Sequence, residues 1–323
     1  MSLNKLRKRD VAEDTKRWLS GLGLGPGIGD VFYLCASLTD NYCANLKENG
    51  ISTDNVKADF EDLEDRMTAD QNDVMVLMPG SHTLDTALTW DKSYTHIIGA
   101  IAPTVMNQRA RLVNAAAAMT PMFTVSASGC MFKNFMSSQE GSHATTAAVN
   151  VYITGARNMF DHVTMRNIGA AAVVNDSMRN LKMASSDGEN YFLNCTIGAD
   201  TFDGDPAASA CIEYVAGSDN GRNVFEECII LAGGSASAVF IKTGTNSAMG
   251  WQMFKRCLFS NNIAGTMDAM TQAFSLAGGN GPIFLMDSLV HGATCYESAE
   301  SGTLFGRDSY AAATTDVAVA LTF

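Results

Sequence analysis

The densest run of ionisable side chains in the sequence is Asp200-Thr201-Phe202-Asp203-Gly204-Asp205. Carboxylates spaced like Asp200, Asp203 and Asp205 could offer oxygens to calcium, but the bidentate Glu that closes an EF-type loop is missing. They stand as weak metal candidates, and no cofactor is expected. Other acidic pairs are Asp187/Glu189, Glu226/Glu227 and Glu297/Glu300. Neighbours along a strand face opposite ways, so Glu226 and Glu227 are not expected to act together. None of the five histidines (His82, His96, His143, His162, His291) lies near a Ser or Cys in a nucleophile motif. No arginine is read beside a carboxylate at the spacing of the repeat described below. No catalytic residue is therefore assigned.

Two further patterns resemble chemistry without supplying it. The eight cysteines include no CxxC pair, which excludes zinc ribbons and thioredoxin-like sites. The amino terminus shows no secretory h-region, so reduced thiols are expected. Five glycines lie between Gly21 and Gly29. A phosphate loop needs a strand before them and Lys-Ser/Thr after them, and neither is present. That stretch is read as a hinge.

The chain has 323 residues, enough to bury a large core without disulfides. Apolar residues make up 46% and charged residues 17%, which excludes disorder and coiled coils. A net charge of −12 argues against nucleic-acid binding, and no apolar run could span a bilayer. The charge is unevenly placed. Within residues 1–18, six bases (Lys5, Arg7, Lys8, Arg9, Lys16, Arg17) face three acids. Such asymmetry suggests an arm that touches an acidic partner, with Trp18 as an aromatic anchor.

Three segments follow from this reading: an arm and hinge over 1–29, a strand and capping helix over 30–72, and a repeat domain over 73–323. Val31–Cys35 reads as a strand. Thr53 or Asp54 is expected to cap a helix whose stripe is Val56, Phe60, Leu63 and Met67. Its other face (Asp59, Glu61, Asp62, Glu64, Asp65) is acidic, so the helix should lie across an open β end.

The repeat appears in CMFKNFMS (130–137), NMFDHVTM (158–165), NYFLNCTI (190–197), NVFEECII (223–230), QMFKRCLF (252–259) and PIFLMDSL (282–289). Its phenylalanines are Phe132, Phe160, Phe192, Phe225, Phe254 and Phe284, spaced 28 to 33 residues apart. Three residues on comes Phe135, Val163, Cys195, Cys228 or Cys257, with Asp287 the exception. A step of three followed by a step of two implies a bend within the motif. Another strand precedes each motif, as in 148–152, 210–214, 238–241 and 273–276, followed by a turn rich in Gly, Asn and Asp. Asn158, Asn190 and Asn223 stand two before the Phe, with Gln252 in the same place. Stacked amides of this kind are read as a structural ladder rather than a ligand site.

A β unit every ~30 residues buries its apolar face only by stacking. Leucine-rich repeats, propellers and sandwiches do not fit the pattern. The expected fold is all-β: a right-handed, single-stranded parallel β-helix with an amino-terminal arm and a short capping helix.

The entry segment Asp73-Val74-Met75-Val76-Leu77-Met78-Pro79-Gly80-Ser81-His82-Thr83-Leu84 resembles the "D-x-V-x-V-x-P-G-x-Y-x-L" start of pectin-lyase-like β-helices, especially those of bacteriophage virions. Residues 90–100 and 123–135 are similar to the turns that follow it, and the resemblance covers about residues 28–310. It implies the fold more than an activity. Lyases of the family hold calcium between carboxylates on neighbouring rungs. Phage tailspike hydrolases use paired carboxylates.

The expectation is a non-enzymatic virion protein that decorates or cements the capsid. It would be a homo-oligomer, most simply a trimer, bound to the major capsid protein or another virion protein, with no nucleic-acid or membrane contact. The alternative is a tailspike-type protein that binds or cleaves host polysaccharide. That alternative would place aromatics and paired carboxylates along one exposed β face.

Overall fold

The computed structural model describes residues 11–320, apart from 25–26, 115–118, 141–147, 168–177, 186, 200–208, 234–236, 246, 248–249, 262–269, 277–280, 298–303, 308–309 and 313–317. The described residues wind through three sheets of eleven, ten and seven strands, termed A, B and C. One turn runs from sheet A (Met159–Asp161) to sheet B (Thr164–Asn167), then sheet C (Arg179–Met183), and returns to sheet A at Tyr191–Leu193. Each strand pairs in parallel with its equivalent one turn away. Right-handed crossovers are the rule for parallel strands in one sheet. The described residues depart from parallel pairing at one place: Tyr310–Ala312 and Ala318–Ala320 run antiparallel.

The bend between sheets A and B has one backbone solution in every repeat. Asn134, His162, Asn194, Glu227, Arg256 and Asp287 all adopt φ between 50° and 57°. This left-handed residue turns the chain through the corner, so the side chain three after Phe again faces inward. The Cys195, Cys228 and Cys257 thiols close the corner by donating to the carbonyls of Phe160, Phe192 and Phe225 at 3.3–3.4 Å.

Inside, like side chains stack. Phe132, Phe160, Phe192, Phe225 and Phe254 are at most 1% exposed, with successive ring centroids 4.3–4.8 Å apart. The amides form a second column at the turn from sheet C to sheet A. Asn158 Oδ1 accepts from the Cys130 amide at 2.9 Å, Asn190 Oδ1 from the Asn158 amide at 3.0 Å and Asn223 Oδ1 from the Asn190 amide at 2.9 Å. Asn223 Nδ2 then donates to Gln252 Oε1 at 3.0 Å. Each buried amide thereby satisfies backbone groups that water cannot reach.

The register of the last repeat differs from the sequence expectation by one residue. Leu285, not Phe284, pairs with Phe254 and faces inward. Phe284 is half-exposed and meets Phe305 at 5.6 Å. Ser288 then occupies the Cys position, its hydroxyl donating to the Phe254 carbonyl at 3.2 Å. Val290 rather than Leu289 enters the core. The strand Ile283–Met286 sets its register by inward Ile283 and Leu285, since a one-residue slip would exchange the faces.

The amino-terminal third departs further. The expected helix from 53 begins only at Phe60 (helix α3, Phe60–Glu64), where Asp59 Oδ1 accepts from the Asp62 amide at 3.1 Å. Val56 belongs to a short sheet A strand instead and pairs with Tyr33. Phe60, Leu63 and Met67 close the end of the core, Phe60 meeting Trp90 edge-on at 6.0 Å. Helix α2 (Asn41–Glu48) had no sequence signal and is tied to the first strand by a Cys35–Cys43 disulfide, against the expectation of free thiols. Residues 11–24 are not a free arm. Helix α1 (Val11–Leu19) and the turn to Leu24 pack on the outer side of sheet A, where Leu19 is fully buried against Tyr33, Leu46 and Val76.

Candidate functional site

Outside the core columns, sheet A carries two outward rows. The position before each Phe holds Met131, Met159, Tyr191, Val224 and Met253, continued by Phe284 and Phe305. The position after holds Lys133, Asp161, Leu193, Glu226, Lys255 and Met286. The left-handed corner adds His162, Glu227 and Arg256 beside them.

These charges bond from rung to rung. Lys133 Nζ donates to Asp161, which also meets His162 Nδ1. Glu226 accepts from Tyr191 Oη at 2.7 Å, Lys255 Nζ at 3.0 Å and Arg256 at 2.6 Å. Arg256 also reaches Glu227 at 2.7 Å. Along the corner between sheets C and A, Glu189 is held between Arg157 at 2.8 Å and Arg222 at 2.9 Å. Two sequence expectations are corrected here. The left-handed φ at residue 227 brings Glu226 and Glu227 to one cation. Arginines do stand beside carboxylates at rung spacing, because residues 29–33 apart in sequence are neighbours across parallel strands.

The electrostatics show what such a cluster can do. Hydrogen bonds from Tyr191 and Lys255, with the charge of Lys255 and a hydrogen bond from Arg256, hold Glu226 down at about 2. Burial, then the bond to Glu226, pushes Tyr191 up to about 12. A general acid in glycoside chemistry needs the opposite shift, a carboxyl kept protonated near neutral pH. Glu226 is therefore not placed to act as that acid, while its bonds to Tyr191 and Lys255 tie neighbouring rungs together.

The second candidate surface lies over the amino-terminal end. Lys5, Arg7, Lys8 and Arg9 lie outside the described residues. Lys16 is half-buried, and Arg17 is exposed opposite Glu13 at 3.5 Å. Trp18 is 39% exposed. With Thr15, Tyr33, Leu46, Met78 and Ile101 it lines a cavity of about 450 Å³ between α1 and sheet A. The Tyr33 hydroxyl donates to Thr15 Oγ1 at 3.0 Å, fixing the helix over that cavity.

Of the other sequence candidates, Asp200, Asp203 and Asp205 lie outside the described residues. Phe160, Phe192, Phe225, Phe254, Cys195, Cys228, Cys257, Asn158, Asn190 and Asn223 face the interior and present nothing to a ligand. Among the described residues, no three His, Cys, Asp or Glu side chains converge on a possible metal position. The outward rows escaped the sequence reading, although a signal existed: the position after Phe sets opposite charges on adjacent rungs twice, Lys133 beside Asp161 and Glu226 beside Lys255.

Comparison of the whole fold finds similar solved structures. A pectate lyase, Pel9A, matches with a TM-score of 0.57 and 12% identity over 90% of this chain and 78% of that one. A pectin methylesterase matches with a TM-score of 0.50 and 13% identity over 88% of this chain and 90% of the other. A tailspike protein of the Escherichia coli O157:H7 bacteriophage CAB120 overlaps more loosely, with a TM-score of 0.34 and 10% identity over 80% of this chain and 45% of that one. No family model and no curated sequence matches the chain. The chain thus shares the parallel β-helix fold of the first two, and at these identities the likeness extends to fold alone.

Proposed function

We propose that this chain is a non-catalytic structural protein of a bacteriophage particle, a decoration or cement protein that acts as a homo-oligomer, most simply a trimer. The observation that carries the non-catalytic part is how the paired carboxylates are bonded. Glu226 is taken up by Tyr191, Lys255 and Arg256, and Glu227 by the same arginine. The phage assignment rests on the entry motif at Asp73–Leu84 and its resemblance to virion β-helices.

In this reading the basic residues of 1–17 and the half-exposed Trp18 attach the protein to an acidic capsid surface. Charge speeds the encounter and sets orientation, and the indole supplies contact area. Because α1 is seated on sheet A, the element to remove is residues 1–10 rather than 1–18. The test is co-sedimentation with particles that lack the protein. Full-length chain is expected to pellet with them, and less so as salt rises. A chain starting at residue 11 should pellet weakly at any salt while melting normally. Full occupancy by the truncated chain would overturn this attachment role.

One observation favours a tailspike-type alternative. Tyr191, Phe284 and Phe305 lie half-exposed or exposed in a single outward row beside Glu226 and Glu227, the kind of face a glycan stacks on. Saturable binding of a polysaccharide, lost in Tyr191→Ala, would support it.

A further inference from the structure

The linker between α1 and the first sheet A strand, Val31–Leu34, is fastened at two neighbouring residues. Asn72 stands at φ 63° in the turn before the strand Val74–Leu77. Its Nδ2 donates to the Leu24 carbonyl at 3.3 Å and to the Gly27 carbonyl at 3.1 Å. Its own carbonyl accepts from the Gly29 amide at 3.1 Å. Asp73 beside it accepts from the Asp30 amide at 2.7 Å.

Asn72 is itself oriented by a histidine. The His96 ring is buried and bonded at both nitrogens. The Met131 amide donates to Nδ1 at 2.9 Å, so Nδ1 carries no proton and Nε2–H donates to Asn72 Oδ1. That bond turns the oxygen of Asn72 to the ring and its Nδ2 to the linker. A titratable ring, one amide and the linker carbonyls thus form a single chain of bonds.

His96 also lies under the layer that the linker holds down. It pairs with Val74, and it shares an outward face with Val74, Val76 and Ile98. Leu19 of α1 and Leu24 pack on those three side chains. A proton on Nδ1 sets one N–H against the Met131 N–H, so the ring's two bonds cannot both persist, and it places a charge in the layer. The charged groups on the surrounding elements are engaged or turned to water. Asp73 is taken up by the Asp30 and Thr68 amides, Lys133 by Asp161, and Glu13 by Arg17. Asp30 and Asp70 are exposed, while Asp14 and Lys16 lie half-buried on α1. Burial is what lowers the ring's pKa, to about 4.

We propose that His96 and Asn72 form an acid-operated clasp: protonation of His96 Nδ1 breaks the bond from Met131, turns Asn72 away, and releases the linker and α1 from sheet A while the rungs stay folded. At neutral pH the clasp is closed and the amino-terminal segment is seated. A released ring takes its proton at the ordinary value near 6.5 and the closed ring only at about 4, so the open form gains up to ~300-fold as the pH falls through that window. The rungs between Tyr191 and Lys255 contain no histidine and serve as the internal reference.

Hydrogen exchange of the full chain, read by mass spectrometry and corrected for the intrinsic effect of pH, tests this. Between pH ~7 and ~4.5, opening of residues 11–24 should rise at least ~10-fold, while Tyr191–Leu193 and Asn223–Glu226 keep their protection. His96→Gln removes the titration, so the same segment should change by less than ~2-fold over that range. Should that variant fold poorly, Asn72→Gly is the second probe, because glycine accepts the left-handed backbone and only the side-chain bonds are lost. It should open residues 11–24 already at neutral pH, with the rungs protected. Four results overturn the clasp: a wild-type segment that stays protected in acid, one that opens only together with the rungs, an unchanged acid response in His96→Gln, or an Asn72→Gly chain as protected as wild type at neutral pH.

Discussion

The middle turns and the amino-terminal third are built on different principles. From Phe132 to Cys257 three core columns repeat one kind of side chain rung after rung: Phe on Phe, thiol above thiol, amide bonded to amide. Between residues 11 and 77 the contacts are single. Leu19, Tyr33 and Leu46 meet once, a disulfide joins Cys35 to Cys43, and α3 closes the core end with Phe60. A ladder of like contacts makes each rung depend on both neighbours, as expected of a one-dimensional array. The amino-terminal third depends on a few unrepeated contacts, which specify one docked arrangement.

The largest effect should come from breaking the ladder at its centre. Phe192→Ala removes a ring stacked on two sides and should cost ~3–5 kcal/mol, measured by denaturant unfolding. A cost below ~1 kcal/mol would mean that the stack does not act as a unit.

Acid should strike the other region next. His96 Nδ1 accepts from the Met131 amide and Nε2 faces Asn72 Oδ1, so the ring is bound neutral. Burial lowers its pKa to about 4 from an ordinary 6.5. A folded pKa below the unfolded one means that the unfolded chain takes up the proton first. Stability is therefore full above pH ~6.5 and falls as the pH drops toward 4, by at most about 3 kcal/mol from this group. His96→Gln should flatten that part of the profile; an unchanged acid limb would assign it to other groups.

A smaller loss tests the amide column. Asn190→Ala leaves the buried Asn158 amide without its acceptor and should cost ~1–3 kcal/mol. Hydrogen exchange should then speed at residue 158 before it speeds at residue 223. Cys228→Ser should cost less again, on the order of 1 kcal/mol, because a hydroxyl already serves at Ser288. The native Cys195, Cys228 and Cys257 thiols should resist alkylation, since all three are at most 3% exposed.

The contrast also explains what the sequence revealed. The ladder was legible because stacking forces the same residue type to recur, so Phe-x-x-Cys carried both the strand and the bend. It misled at Phe284, where the letter recurred but the alternation of Ile283 and Leu285 set the register. The ion rows were half legible: the charges recur, yet their pairing depends on the left-handed corner that turns Glu227 beside Glu226. Helix α2, the disulfide and the 101–109 link left no periodic trace. That link is held by long-range contacts such as Thr196 to Val105, which no local pattern encodes.

The central claim, that the paired charges are structural rather than catalytic, is tested most directly by end-group release. Purified full-length chain incubated with a panel of acidic and neutral polysaccharides should release neither reducing nor unsaturated ends above a heat-denatured control. Reproducible release that disappears in Glu226→Gln, or in a variant of Asp200, Asp203 or Asp205 that still folds, would contradict the account.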